Sequence, residues 1–293
     1  MTRDAYECAA PGSRRSGNQI DWTRMDKKIL AIGKNSMLAQ WWRTSQFARS
    51  KVSFISHSDI GDDRTLDQIE TVVSFCRHPD YDCALLPCNE DPNGRIAAWL
   101  VPRQTQLIIL SSCKVYSPLG RAISETDPAN SNSIGSRNRL QSEQIARDKL
   151  GDRLTVLRCS NVFGYEISKK RPRFMAMLLD SLKKRDIVEF NCNPDTRRDF
   201  LPDTCFVGCL EHVAGQPRPG IFNFGSGIPL TMRKIAEWVI EGYGAGHIAQ
   251  TAEHSLPDVT IDITKLTRIY GAPASLSDIR QRCTTIGSLL RMH

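Results

Sequence analysis

The sequence has no run approaching the ~20 consecutive apolar residues that a membrane-spanning helix requires, and its 293 residues hold no internal repeat or low-complexity tract. Its ten cysteines include no Cys-x-x-Cys pair, and its six histidines include no pair at zinc-finger spacing. Cys205 and Cys209, four apart on an expected helix, read as two small apolar residues on one face rather than as metal ligands. No metal is expected, and reduced thiols suit the cytoplasm. Residues 1–24 lack the apolar core of a signal peptide, and Asp4, Glu7 and Asp21 speak against a mitochondrial presequence. They are expected to be a flexible tail ahead of Met25 that need not belong to the native chain.

What is present is ordinary globular material, with 40% hydrophobic and 24% charged residues. Disorder, collagen and coiled coil are set aside on that composition. A chain of this mass can bury about 74% of its surface without disulfide staples. The formal charge of +7 is uneven, because nine basic and four acidic residues fall between Lys169 and Arg198. Such a cluster suits a phosphate-bearing ligand, and a solvated face is the plainer alternative. Nucleic acid is disfavoured, since it wants a longer stripe with aromatics interleaved.

Short apolar runs at 29–33, 52–55, 83–86, 107–112 and 154–158 are expected as strands. Amphipathic stretches at 36–48, 66–75, 95–100 and 135–150 are expected as helices. Their alternation predicts an α/β fold, a Rossmann-type doubly wound parallel sheet, over residues 25–165. Residues 166–293 are expected to form mainly a smaller C-terminal α/β lobe that grips substrate, interleaved with the first unit through a strand near 220–225. Within it, helices are expected at 172–185, 202–213 and 231–241, the last capped by Thr231, and a strand at 187–190. The final forty residues are expected as helical pieces broken at Gly271, Pro273 and Gly287.

The first strand runs into Gly33 and the opening of a helix, where a dinucleotide fold brings backbone amides to a pyrophosphate. Only Gly33 survives of the usual glycines; Ser36 and Ala39 are small enough to permit close approach. After the second strand, His57 reads as a surface residue, and neither an acid for a ribose hydroxyl nor an arginine for a 2′-phosphate follows directly. NAD and NADP therefore both remain open.

Five blocks occur in order: Ser111 through Tyr116, Ile134 through Glu143, Thr155 through Gly164, Arg198-Asp-Phe200, and Gly220 through Gly227. Together, over about residues 27 to 275, they resemble the extended short-chain dehydrogenase/reductase family of nucleotide-sugar epimerases, dehydratases and reductases. The dTDP-4-dehydrorhamnose reductase and GDP-fucose synthase branches are the most similar. The resemblance implies NAD or NADP as cofactor, a nucleotide sugar as the small-molecule ligand, no membrane and, as commonly in the family, a homodimer. It implies cofactor binding by Gly33, Lys34, Asn35, Ser36, Met37, Asp59 and Ile60. Ser112 would hydrogen-bond the reacting sugar oxygen, Asn161 would border the substrate, and Arg198 would clamp its pyrophosphate.

The departure lies in the Tyr-x-x-x-Lys motif, where Gly135 and Arg139 take the two places and no tyrosine can be slid into register. Glycine offers no proton, and arginine is a poor acid or base, although Arg139 can still hydrogen-bond a ribose. Cys113, beside Ser112, is the expected replacement proton carrier, with Lys114 and Glu166 near similar family positions. The leading expectation is an NAD(P)-binding nucleotide-sugar epimerase, dehydratase or reductase of glycan or deoxysugar synthesis. The alternative is a catalytically degenerate relative that senses the dinucleotide or sugar nucleotide, or supports a partner enzyme.

Overall fold

A computed structural model describes residues 28–61, 68–166 and 173–292. The expected tail at 1–24 and the basic residues 169–171 lie outside the described residues. β1 (Ile29–Ile32), β2 (Val52–Ile55), β3 (Thr71–Ser74), β4 (Gln106–Ser112), β5 (Leu154–Cys159) and β9 (Gly220–Phe224) form a parallel sheet in the order β2-β1-β3-β4-β5-β9. Their side chains alternate between two cores. Ile29, Ala31, Val73, Ile108 and Leu157 face one, and Leu30, Ile32, Val72, Ile109 and Val156 face the other. Continuous apolar runs are what a sheet covered on both faces requires.

On one face, α3 (Pro92–Leu100) and α4 (Ile134–Leu150) cover the second core. Asp91 caps α3 by accepting from Gly94 N at 2.6 Å, and Ser133 caps α4 by accepting from Ser136 N at 3.2 Å. Each such cap is worth about 1 kcal/mol. On the other face lie α1 (Met37–Arg43), α2 (Gln46–Lys51) and α6 (Asp203–Gly215), and α5 (Phe174–Arg185) adds its apolar side to the same core. The rest of the chain adds β6 (Asn161–Phe163), β7 (Ile187–Phe190), β8 (Arg197–Pro202), β10 (Pro229–Thr231), β11 (His247–Gln250), α7 (Met232–Tyr243), α8 (Thr264–Tyr270) and α9 (Leu276–Met292). Strands β10, β8 and β6 make one small sheet, and β11 and β7 another. Thr231 caps α7, accepting from Lys234 N at 3.1 Å.

Four expected elements differ. The stretch 36–48 is two helices, because Ser45 turns and caps the second by accepting from Ala48 N at 3.1 Å. The described part of 66–75 holds a strand, not a helix: β-branched Thr71, Val72 and Val73 fill the slot between β1 and β4. Residues 83–86 are turn, since their backbone is bonded by the Asn138 side chain rather than by a neighbouring strand. Gly287 does not break α9. It lies against α7, where a Cβ would overlap Val239 O. No helix among the described residues is long and apolar enough to cross a membrane.

Candidate functional site

The C-terminal ends of β1, β3, β4 and β5 open into one cleft of about 1610 Å³. That is the place where open α/β sheets bind ligands, beside the strand at which chain order reverses. A drug-sized ligand fills roughly 300–1,000 Å³, so the cleft has room for two.

Gly33 begins the cleft. Its φ is +99°, and a Cβ there would come within 3.1 Å of the Phe75 carbonyl carbon at the end of β3. Conformation and space both require glycine. Gly33 N and Lys34 N donate to Ile55 O at 3.0 and 3.1 Å, so these two amides hold the turn itself. Ser36, the N-cap of α1, makes no side-chain cap bond. Its hydroxyl and the first-turn amides of Met37 and Leu38, which lack intrahelical partners, lie on residues that line the cleft. Lys34, Asn35 and Ile60 line it as well.

At the far end, Ser112 and Lys114 line the cleft, and Ser112 Oγ accepts from Lys114 N at 3.3 Å. Asn161 also reaches the cleft, with its Nδ2 spent on Asp199 O at 2.8 Å. Glu166 and Arg173 stand together there; burial raises the Glu166 carboxyl while Arg173 opposes the shift.

Three expected residues are not among the described lining residues. Asp59 folds back to accept from Ser56 N at 3.0 Å, capping its own exposed turn. Arg198 sends Nη1 to Arg197 O and Pro257 O at 2.8 and 2.5 Å, which ties that nitrogen to the neighbouring loop. Cys113 is buried beneath the turn that follows β4. Burial, with a smaller push from Asp199, takes its thiol up to about 12. A thiol so placed is held protonated at neutral pH. With a disulfide reagent at pH 8, Cys83 and Cys88, both exposed, are expected to label within minutes. Cys113 is expected to label only on unfolding; peptide mass mapping reads the order.

Gly135 sits at the start of α4, where a Cβ would overlap Asp82 Oδ1. Asp82 pairs with Arg77 and lies 3.6 Å from Arg139 Nη1, which also donates to Gly135 O at 2.6 Å. Tyr81 lines the cleft, yet its hydroxyl faces Asp91 Oδ1 and Asn138 O at 3.3 Å, and burial raises it further. It is no substitute for the missing phenol. Beneath the cleft, Glu143 joins α4 to β5 through a buried pair with Arg158 (Nη2 to Oε2, 2.6 Å) and accepts from Ser111 Oγ at 2.5 Å.

Residues 91–225 match the NAD dependent epimerase/dehydratase family. Over that stretch the chain is similar to this family. The family segment starts at the cap of α3 and ends just past β9, so it carries the Ser112 turn, all of α4 and the β5–β6 corner. Solved structures extend the likeness to the whole fold. The dehydratase TunA, described as an NAD dependent NDP-hexosamine 5,6-dehydratase of tunicamycin biosynthesis, aligns at 17% identity with TM-score 0.75, covering 90% of this chain and 98% of its own. RMD from Pseudomonas aeruginosa, complexed with NADPH, aligns at 15% and 0.75 over 91% and 99%. UDP-N-acetylglucosamine 4-epimerase from Bacillus cereus does so at 15% and 0.75 over 90% and 99%. Comparison with curated proteins gives no match.

The segment thus shares the fold of these structures while its helix α4 presents Gly135. Sequence reasoning missed Arg77, Asp82 and Arg173. The first two follow β3, whose strand was read as helix, so the loop after it had no assigned place. Asn138 was the available signal: an asparagine on the buried side of an amphipathic helix needs partners, and the 81–86 turn supplies them. The basic cluster divides: Lys184 and Arg185 pair with Asp180 and Glu189 at the solvent end of α5, whereas Arg173 turns into the cleft.

Proposed function

We propose that the protein binds NAD or NADP at the Gly33–Met37 turn together with a nucleotide sugar, and acts as an epimerase, dehydratase or reductase on that sugar. The observation that carries this reading is a single cleft that starts at a glycine turn at the strand-order switch and ends at Ser112. The residues fit a dinucleotide: the Gly33 turn leaves no Cβ in the way, and Ser36 and the first amides of α1 offer donors to a diphosphate. A bound nicotinamide supplies hydride transfer. The chain's own groups bind and orient. Lys34 neutralises phosphate charge, the Ser112 hydroxyl donates to a sugar oxygen, and Lys114 and Arg173 supply positive charge where the sugar nucleotide lies.

Binding without turnover is the second reading, favoured by Gly135 and by the burial of Cys113. Incubation with oxidised NAD and a panel of UDP- and dTDP-hexoses, followed by mass spectrometry and chromatography, separates the two. A dehydrated or epimerised sugar supports the enzyme. Saturable binding of both ligands with every sugar unchanged supports the binding module. No binding of either ligand overturns both.

A further inference from the structure

The carboxylate beside Gly135 is not explained by packing alone. The turn that carries it is stapled to α4. Asn138 Oδ1 accepts from Leu86 N at 3.0 Å, and its Nδ2 donates to Tyr81 O and Ala84 O at 2.8 and 2.7 Å. Gln141 Nε2 adds a bond to Leu86 O at 3.0 Å. None of these bonds uses the Asp82 side chain, which stays 59% exposed. The staple therefore delivers Asp82 to the cleft wall instead of consuming it.

Three cations surround this carboxylate: Arg77, Arg139 and Lys114. Partial burial raises Asp82, but the cations outweigh it and hold the group below the usual carboxylate range. It is ionised at neutral pH. Topology sets which half of a dinucleotide meets it. With the diphosphate at the β1–α1 turn and one nucleoside towards β2, where Ser56, His57 and Ile60 line the cleft, the other half crosses the ends of β3 and β4. Arg77, Asp82, Ser112 and Lys114 are there.

We infer that Asp82 is the counter-charge of this site, retaining the oxidised, cationic nicotinamide dinucleotide in preference to the reduced, neutral one. The inference rests on the reading of the cleft as a dinucleotide site. Without Asp82, three cations would face a cationic ring; with it, one of them is offset. Two unit charges a few ångströms apart at a partly exposed site interact strongly enough to change a binding ratio by on the order of tenfold. The same residue explains the glycine: a side chain at 135 would displace the carboxylate.

The test measures dissociation constants for oxidised NAD and for NADH by calorimetry at fixed ionic strength, in the unmodified protein and three variants. Asp82→Asn is expected to weaken oxidised NAD about tenfold while changing NADH less than about twofold. Asp82→Glu is expected to keep the original ratio. Arg77→Gln, which removes a competing cation, is expected to move the ratio the opposite way, towards oxidised NAD. A merely structural Asp82 would weaken both forms equally, and that outcome, or an unchanged ratio, overturns the inference while leaving the dinucleotide reading intact. If neither form binds the unmodified protein, the reading of the cleft fails and the inference with it.

Discussion

Replacing Arg158 with Met is expected to cost about 3–5 kcal/mol, because it leaves a buried carboxylate without its partner. Arg158 and Glu143 are 5% and 4% exposed, and Arg158 Nε reaches both Glu143 oxygens at 3.2 Å in addition to the 2.6 Å contact from Nη2. The chain continues through Arg158 Nη1 to the Tyr116 hydroxyl at 2.9 Å, and from there to Asn223 Oδ1 at 2.8 Å. One polar network thus ties α4, β5 and β9 together beneath the cleft. At about 2–4 °C per kcal/mol for a domain of this order, the midpoint of thermal unfolding should fall by roughly 6–20 °C. Pairing Arg158→Met with Glu143→Leu should cost less than Arg158→Met alone, since an apolar pair of similar volume leaves no stranded charge. Denaturant titration of the three variants reads both results; a double variant as unstable as the sum of the singles would contradict the account.

The second large effect is at the contact of α7 with α9. Alanine is normally the better helix residue, by about 1 kcal/mol over glycine. At Gly287, however, a Cβ would overlap Val239 O, and at Gly242 it would overlap Thr284 O. Both obstacles are helix backbone, which cannot rotate away as a side chain can. Overpacking of this kind costs about 1–3 kcal/mol and sometimes more, so the clash outweighs the propensity gain. Gly287→Ala and Gly242→Ala are each expected to destabilise by about 2 kcal/mol. Gly208→Ala in α6 supplies the opposite sign: nothing lies within 4 Å of its Cβ position, and about 0.5–1 kcal/mol of stabilisation is expected. Urea unfolding midpoints for the three variants check the sign as well as the size.

The sheet was legible wherever apolar runs were long and unambiguous, as at β1, β4 and β5, and the motif helix α4 was placed to within one residue of its start. β3 was not, because a short run of Thr, Val and Val beside polar neighbours satisfies either period, and only the vacancy between β1 and β4 decides it. Gly287 misled for a related reason. A glycine inside a helical pattern marks either an end or a close approach, and the partner helix lies some forty residues away in sequence. In the site, Gly33, Ser36 and Ser112 could be found because their chemistry is local to a strand end. Asp82 could not, since its place depends on Asn138 reaching across to a turn more than fifty residues earlier. Cys113 has suitable chemistry next to Ser112, but burial, invisible in sequence, keeps it protonated.

A crystal structure of the protein grown with oxidised NAD tests the central claim most directly. The account predicts the diphosphate against Ser36 and the first amides of α1, with the nicotinamide half lying towards Asp82 and Arg139. Dinucleotide bound elsewhere, or the Gly33 turn bare at a concentration that saturates the protein in solution, would contradict it.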